Sequence, residues 1–289
     1  MLSILKHHLA IGVHVYYGII EIFIYKILYI YIDYMIKSNH FFISYAGNKR
    51  RECDTIYKEI KDLLDGDEIE TIVEPYCGSS AISYFIAHHY PNKFKYILND
   101  NNEHLIKTYE IFKDEKQLDI FIEQLNEICK DLNKEKYTAI LKEDTHISWF
   151  IKHKIYTIRA GLFRLDYKFK DFIFLKNTPI IKFLRTEDIT IHCKDGIETL
   201  LKYKDDKRSL IILDPPYLQL NNDFYKNSNT NIYEHCYNFP ITEHISKTIC
   251  ILNDIWIMRM LFKDQIKMTY DKRYQPNKRK VSHLIIKNF

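Results

Sequence analysis

The most constraining feature of the chain is the passage from Ser209 to Tyr217. The apolar run Ser209-Leu210-Ile211-Ile212-Leu213 leads straight into Asp214-Pro215-Pro216-Tyr217. A short continuous apolar run of this kind is predicted to be a buried strand. Two consecutive prolines supply no amide hydrogen, so neither a helix nor a sheet ladder can continue through them. The strand must stop, and a carboxylate, a rigid carbonyl and an aromatic ring are presented together at its C-terminal end. In open α/β sheets that edge is where ligands bind.

Those three groups suit methyl transfer to a planar amino group. The lone pair of such a nitrogen is delocalised into its ring. Two acceptors on its hydrogens, the Asp214 carboxylate and the Pro215 carbonyl, draw the nitrogen toward tetrahedral geometry and free the lone pair for an electrophilic methyl. Tyr217 can stack on the ring, worth ~1–3 kcal/mol for a nucleobase. Positioning and electrostatics then carry most of the work, without a strong base. An ordinary strand-ending turn can use the same residues, so the surrounding sequence decides.

A chain of 289 residues with 46% apolar content supports a sizeable core, as one large domain or one domain with an insert. A net charge of +4 does not by itself demand a nucleic-acid partner. The six cysteines at 53, 77, 129, 193, 236 and 250 include no Cys-x-x-Cys pair, and read as reduced intracellular thiols. No metal site is expected. Residues 1–34 stand apart. Leu9 to Ile32 is rich in Ile, Tyr and Val, but Glu21 and Lys26 interrupt it, and a membrane span needs about 20 apolar residues. The readings are upstream sequence translated ahead of a start at Met35, a dispensable amphipathic helix, or a membrane anchor.

Ile69 to Val73 is predicted to be a strand running into Glu74-Pro75-Tyr76-Cys77-Gly78-Ser79-Ser80, with a helix from Ile82 to His89. Strand, tight turn and helix form the general nucleotide-binding arrangement. Ser79 or Ser80 can cap the helix. A second strand, Phe94 to Leu98, ends at Asp100, an acid placed to hold a ribose diol. From Asn102 to Leu141 the pattern is helical, and Leu118, Phe121, Ile122, Leu125 and Ile128 read as a core stripe. Between Trp149 and Lys170, the cations Lys152, Lys154, Arg159, Arg164, Lys168 and Lys170 interleave with aromatics. That suits either a DNA-facing surface or a basic helix face over the core.

Ile189 to Cys193 is predicted to be a strand, followed by Asp195-Gly196 and a helix through Tyr203. Gln219 to Asn238 reads as a lid ordering on DNA. A helix is expected to begin at Phe239, and a strand from Ile255 to Met260. Lys272, Arg273, Lys278, Arg279 and Lys280 fall in an expected hairpin, touching phosphate or simply solvated. Val281 to Phe289 reads as a terminal strand.

Taken together, these segments resemble the DNA adenine methyltransferases. Asp214-Pro-Pro-Tyr217 is similar to their catalytic motif. Tyr45-Ala-Gly-Asn-Lys49 is similar to an opening aromatic-Ala-Gly-Gly-Lys, with Asn48 for a glycine. Glu74-Pro-Tyr-Cys-Gly-Ser-Ser80 resembles Glu-Pro-Phe-x-Gly-x-Gly, with Ser80 for the last glycine. Gly161-Leu-Phe-Arg164-Leu-Asp166 resembles Gly-Leu-Phe/Tyr-Arg-x-Asn, with Asp166 for Asn. The C-terminal His283-Leu-Ile-Ile-Lys-Asn-Phe289 resembles Glu-Leu-Leu-Ile-x-Asn-Tyr.

The resemblance implies an α/β fold: a Rossmann-like S-adenosylmethionine-dependent methyltransferase sheet with a mostly helical DNA-recognition insert. Residues 35–102 and 188–289 would form the catalytic domain and 103–187 the insert. Asp214, Pro215, Pro216 and Tyr217 would be catalytic. Tyr45, Lys49, Glu74, Tyr76, Gly78, Asp100, Asp195 and Asp214 would line the S-adenosylmethionine site, and Arg159, Arg164 and Lys168 would touch DNA. The implied partner is double-stranded DNA in an intracellular setting; no obligatory protein partner is evident. The same motif occurs in enzymes acting on cytosine N4 or a glutamine amide. A decayed, non-enzymatic DNA-binding protein is a further alternative.

Overall fold

The computed structural model describes residues 49–159, 162–165, 172–217, 243–274 and 279–289. The expectations for Tyr45, Lys168, Lys170, the lid at 219–238 and the N-terminal extension lie outside them.

The strands in chain order are β1 Thr71–Glu74, β2 Lys95–Asn99, β3 Tyr156–Arg159, β4 Leu162–Leu165, β5 Asp188–His192, β6 Ser209–Leu213, β7 Lys247–Asn253, β8 Ile266–Tyr274 and β9 Arg279–Lys287. Seven of them form one sheet in the order β5-β2-β1-β6-β7-β9-β8. The first five in that order pair in parallel, and β9 runs antiparallel to both β7 and β8. From β1 the chain builds outward to β2 and β5, then returns to β6 and builds the other way. The order therefore reverses between β1 and β6, and the crevice above their C-terminal ends is the binding position of such a sheet. Every residue of β6 is buried, as an apolar strand covered on both faces should be.

Helices α1 Cys53–Asp65, α2 Ala81–His89, α3 Glu103–Lys113, α7 Pro179–Thr186 and α8 Gly196–Tyr203 belong to the layers around the sheet. In α1 the buried side chains are Cys53, Ile56, Ile60 and Leu64, one face of a 3.6-residue period. α7 starts at a proline, where the missing amide hydrogen costs nothing. Its Phe183 packs edge-on against Tyr84 of α2 and Tyr96 of β2.

Between α3 and α7 the chain makes an excursion through α4 Glu115–Cys129, α5 Lys134–Ile140 and α6 His146–Phe150. In a glycine-poor chain the helix starts rely on polar side chains. Asn102, Asp114, Asn133 and Thr145 each accept the amide hydrogen three residues on, at Leu105, Gln117, Lys136 and Ser148. Leu118, Phe121, Ile122 and Leu125 of the expected stripe are buried, while Ile128 is exposed. After α6 come a π-helical turn, Ile151–Ile155, and the antiparallel hairpin β3–β4. The basic stretch is thus a hairpin at Arg159 and Arg164, not a helix face.

One expectation near the C-terminus is corrected. The predicted strand at 255–260 is a helix, α9 Trp256–Leu261, and the strand precedes it as β7. Both segments are short apolar runs, which periodicity alone does not separate. Burial separates them: β7 is buried on both faces, whereas only Met258 of α9 is buried, with Trp256 and Met260 in solvent. The expected helix from Phe239 has its first residues outside the described ones; Glu243 is in a 3-10 turn, and residues 244–246 lead into β7.

Candidate active site

The crevice is built from the ends of strands. β1 ends at Glu74, whose Oε1 accepts hydrogen bonds from the Ser83 amide at 2.8 Å and from the Ser83 hydroxyl. Ser83 is the third residue of α2, so Glu74 caps that helix. Ser80 stands at the cap position without making a side-chain cap bond, contrary to expectation, and holds φ at 50°. That is a glycine-like conformation, as is the 47° of Gly78. Glu74 is buried, and burial pushes its carboxyl up. The Ser83 bonds and Lys49 oppose the rise while Asp214 adds to it, leaving the group at about 7.

The loop after β1 is pinned from several sides. The Gly78 amide donates to Asp100 Oδ2 at 3.0 Å, and its carbonyl accepts from the Tyr109 hydroxyl. Asp100 Oδ1 accepts from the Asn102 amide at 3.0 Å. Asn99, fully buried, bridges three strand ends: its amide donates to the carbonyls of Pro75 and Lys194, and its oxygen accepts the Lys194 amide. Asp195 caps α8 through the Ile197 amide at 2.9 Å. Gly196 lies under the Tyr76 ring so closely that an added Cβ would stand 2.3 Å from a ring carbon. Tyr76, Gly78, Asp100 and Asp195 thus converge on the ends of β1, β2 and β5.

Asp214 closes β6. Its Oδ2 pairs with Lys49 Nζ at 2.5 Å, and its Oδ1 accepts the Tyr217 hydroxyl at 2.9 Å. Lys49 is itself buried and stands 5.1 Å from the centre of the Tyr217 ring. On another side that ring meets His283 of β9, with centroids 5.1 Å apart.

His283 opens a second cluster. Its Nδ1 lies 3.2 Å from Glu52 Oε2, which also accepts the Tyr270 hydroxyl at 2.6 Å. Glu52 Oε1 pairs with Lys272. Burial would raise the Glu52 carboxyl, but the bond with His283 and the charges of Lys49 and Lys272 outweigh it and hold the group at about 2. Lys272 is therefore half-buried in an ion pair, not a freely solvated charge.

Glu52, Asn99 and His283 were not candidates from sequence, and Lys272 was expected only as a hairpin cation touching phosphate or solvated. Glu52 follows Lys49-Arg50-Arg51 and reads as part of a solvated run. His283 gave a usable sign, a histidine opening the apolar run His283-Leu-Ile-Ile in a terminal strand. Lys154, expected at the DNA-facing surface, is instead buried beside the Trp149 ring. Burial lowers its ammonium to about 7, with Asp100 opposing. Arg164 is exposed on β4. A cavity of about 590 Å³ lies in the helical excursion beside Phe121 and His146, and Asp214 is not part of its lining.

A sulfonium cofactor needs a turn that lets it approach the backbone and carboxylates around its positive charge. Gly78 would supply the first and Asp100 and Asp214 the second, so the residues present fit S-adenosylmethionine. Among the described residues no cluster of His, Cys, Asp or Glu could hold a metal. A doubly wound sheet with this crevice at its switch point and Asp-Pro-Pro-Tyr on its rim defines an S-adenosylmethionine-dependent methyltransferase.

The model of the D12 class of N6 adenine-specific DNA methyltransferases matches residues 45–276, and the chain belongs to that family. It is 26% identical over 212 residues to the type II methyltransferase M.MjaIII of Methanocaldococcus jannaschii, covering 62% of this chain and 70% of that protein. Among solved structures, the rRNA methyltransferase aviRa of Streptomyces viridochromogenes aligns over 88% of this chain and 91% of its own, with 10% identity and a TM-score of 0.36. The N-terminal domain of human METTL16, in complex with SAH, aligns over 82% and 70%, with 7% identity and a TM-score of 0.33. The reaction of the chain is methylation of adenine N6 in DNA. No helix among the described residues is long and apolar enough to cross a membrane.

Proposed function

We propose that the chain methylates adenine within double-stranded DNA, with the base turned out of the helix and its amino group held at Asp214 and Pro215. The carrying observation is the Lys49–Asp214–Tyr217 constellation at the switch point of the sheet. Extruding a paired base costs about a few kcal/mol, which contacts in the crevice must offset.

S-adenosylmethionine supplies an electrophilic methyl group. Gly78 would give it backbone access, Asp100 would hold its ribose, and Tyr76, Asp195 and Lys49 would line its site, which the resemblance of the opening motif extends to Tyr45. Asp214 has lone pairs beyond those taken by Lys49 and Tyr217, and one of these accepts an amino hydrogen of adenine. The Pro215 carbonyl accepts the other, and Pro216 keeps that carbonyl rigid. With both hydrogens engaged, the nitrogen lone pair would be freed to take the methyl group that the cofactor supplies, and Asp214 would accept the proton that the nitrogen sheds. Tyr217 flanks the base. Arg159, Arg164 and Lys168, on and beside the β3–β4 hairpin, contact the DNA.

The test is transfer of labelled methyl to unmethylated duplex and single-stranded DNA, with nucleoside digestion. Wild type should label N6-methyladenine in the duplex. Asp214→Ala should remain folded and lose about 10²-fold or more in kcat, the scale for one electrostatic contact to the reacting group. Retained turnover in that variant would sink the role of Asp214, and label confined to single strands would sink the duplex substrate.

A further inference from the structure

The buried cluster around Glu52 lies outside the reacting groups yet touches them on two sides. Glu52 stands three residues after Lys49, and its amide donates to the Lys49 carbonyl at 2.8 Å at the start of α1. Its side chain gathers Lys272 and Tyr270 from β8 and His283 from β9. His283 in turn packs on Tyr217, which bonds to Asp214, which pairs with Lys49. The contacts close a ring: Lys49, Glu52, His283, Tyr217, Asp214 and back to Lys49. Two ammonium groups, Lys49 and Lys272, share this space with two carboxylates: Lys49 pairs with Asp214 and Lys272 with Glu52.

We propose that Glu52 is a positioning residue for methyl transfer: it draws Lys272 to itself and braces His283 behind Tyr217, so that Lys272 is held back from Asp214 and the Asp214–Lys49 pair keeps its geometry. The inference rests on the role assigned to Asp214 above. The supporting physics is charge balance in a site largely withdrawn from water. A buried ammonium that loses its carboxylate turns to the nearest other one, because leaving it unpaired is costly. The charges of Asp214 and Lys49 are both felt at Lys272, Asp214 favouring its charged form and Lys49 opposing it. Without the Glu52 charge, Lys272 competes for Asp214, the carboxylate turns from the amino group, and His283 loses the anchor that keeps it against Tyr217.

The experiment compares Glu52→Gln, the double variant Glu52→Gln with Lys272→Met, and Asp214→Ala in the full chain, reading kcat, KM for S-adenosylmethionine and Tm. Glu52→Gln should lose about 10- to 100-fold in kcat, the scale of a small misplacement of reacting groups. Its KM should change by less than about threefold, because the loss falls on the chemical step. The double variant removes both charges with little change of shape and should regain about tenfold or more of that kcat. A merely structural role would lower Tm and leave kcat per folded molecule unchanged, and that result overturns the proposal. A double variant that folds and stays as slow as Glu52→Gln also overturns it. Should Glu52→Gln not fold, the double variant decides alone: turnover within about tenfold of wild type sustains the proposal, and a folded, inactive double variant refutes it. Full turnover in Asp214→Ala would overturn the reading of the motif and this proposal with it; an inactive Asp214→Ala beside an unimpaired Glu52→Gln would overturn this proposal alone.

Discussion

Glu74→Gln separates the two tasks that Glu74 performs in the fold. As a cap, it accepts the Ser83 amide and hydroxyl on Oε1, and a glutamine carbonyl can do the same. As a buried acid, it resists ionisation, with its carboxyl at about 7 against an ordinary value of 4.5. A raised carboxyl contributes stability that is fully present below about pH 4.5 and lost as pH rises through about 7. The displacement of about 2.5 pH units corresponds to roughly 3 kcal/mol. Urea unfolding of wild type and Glu74→Gln at pH 5 and pH 8.5 checks this. The two proteins should be nearly equal at pH 5, and the variant should be more stable by roughly 2–3 kcal/mol at pH 8.5, with an unchanged dependence on denaturant. A difference that stays constant between those pH values would refute the argument, because it would mean that Glu74 acts through its shape alone.

Glu52 carries the opposite sign. Its carboxyl, held at about 2, contributes stability above about pH 4.5 that is lost as pH falls toward 2, so Glu52→Gln should converge on wild-type stability in an acid titration followed by circular dichroism. Ser80→Gly should raise stability by about 0.5–1 kcal/mol, since glycine escapes the steric cost of a 50° φ but surrenders more backbone entropy; thermal unfolding measures it, and a destabilised variant would contradict it. Gly196→Ala should cost about 1–3 kcal/mol, because the new methyl would sit 2.3 Å from the Tyr76 ring. Adding Tyr76→Ala should erase that penalty, and strict additivity of the two changes in unfolding free energy would show that the contact is not its source.

Local sequence patterns located much of the sheet and the rim of the crevice because both are local in origin. Ser209–Leu213 is an uninterrupted apolar run closed by prolines, and the strand has those same limits. Asp100 follows its strand by one residue and Asp195 by three, so placing the strand placed the acid. The swap of strand and helix between Lys247 and Leu261 shows where such patterns stop. Two apolar runs of similar length compete, and only contact with β6 and β9 makes the first a strand.

What the sequence determined by itself was the family, the central strand, the turn that Asp-Pro-Pro enforces and the residues that the family motifs name, since each is fixed by neighbours along the chain. Only the tertiary structure decided how the charges are shared. Glu52 lies 231 residues from His283 and 220 from Lys272 in sequence. No local pattern sets such a pair apart from solvated side chains. Folding brings α1, β8 and β9 beside the end of β6, and exclusion of water then obliges every charge there to find a partner.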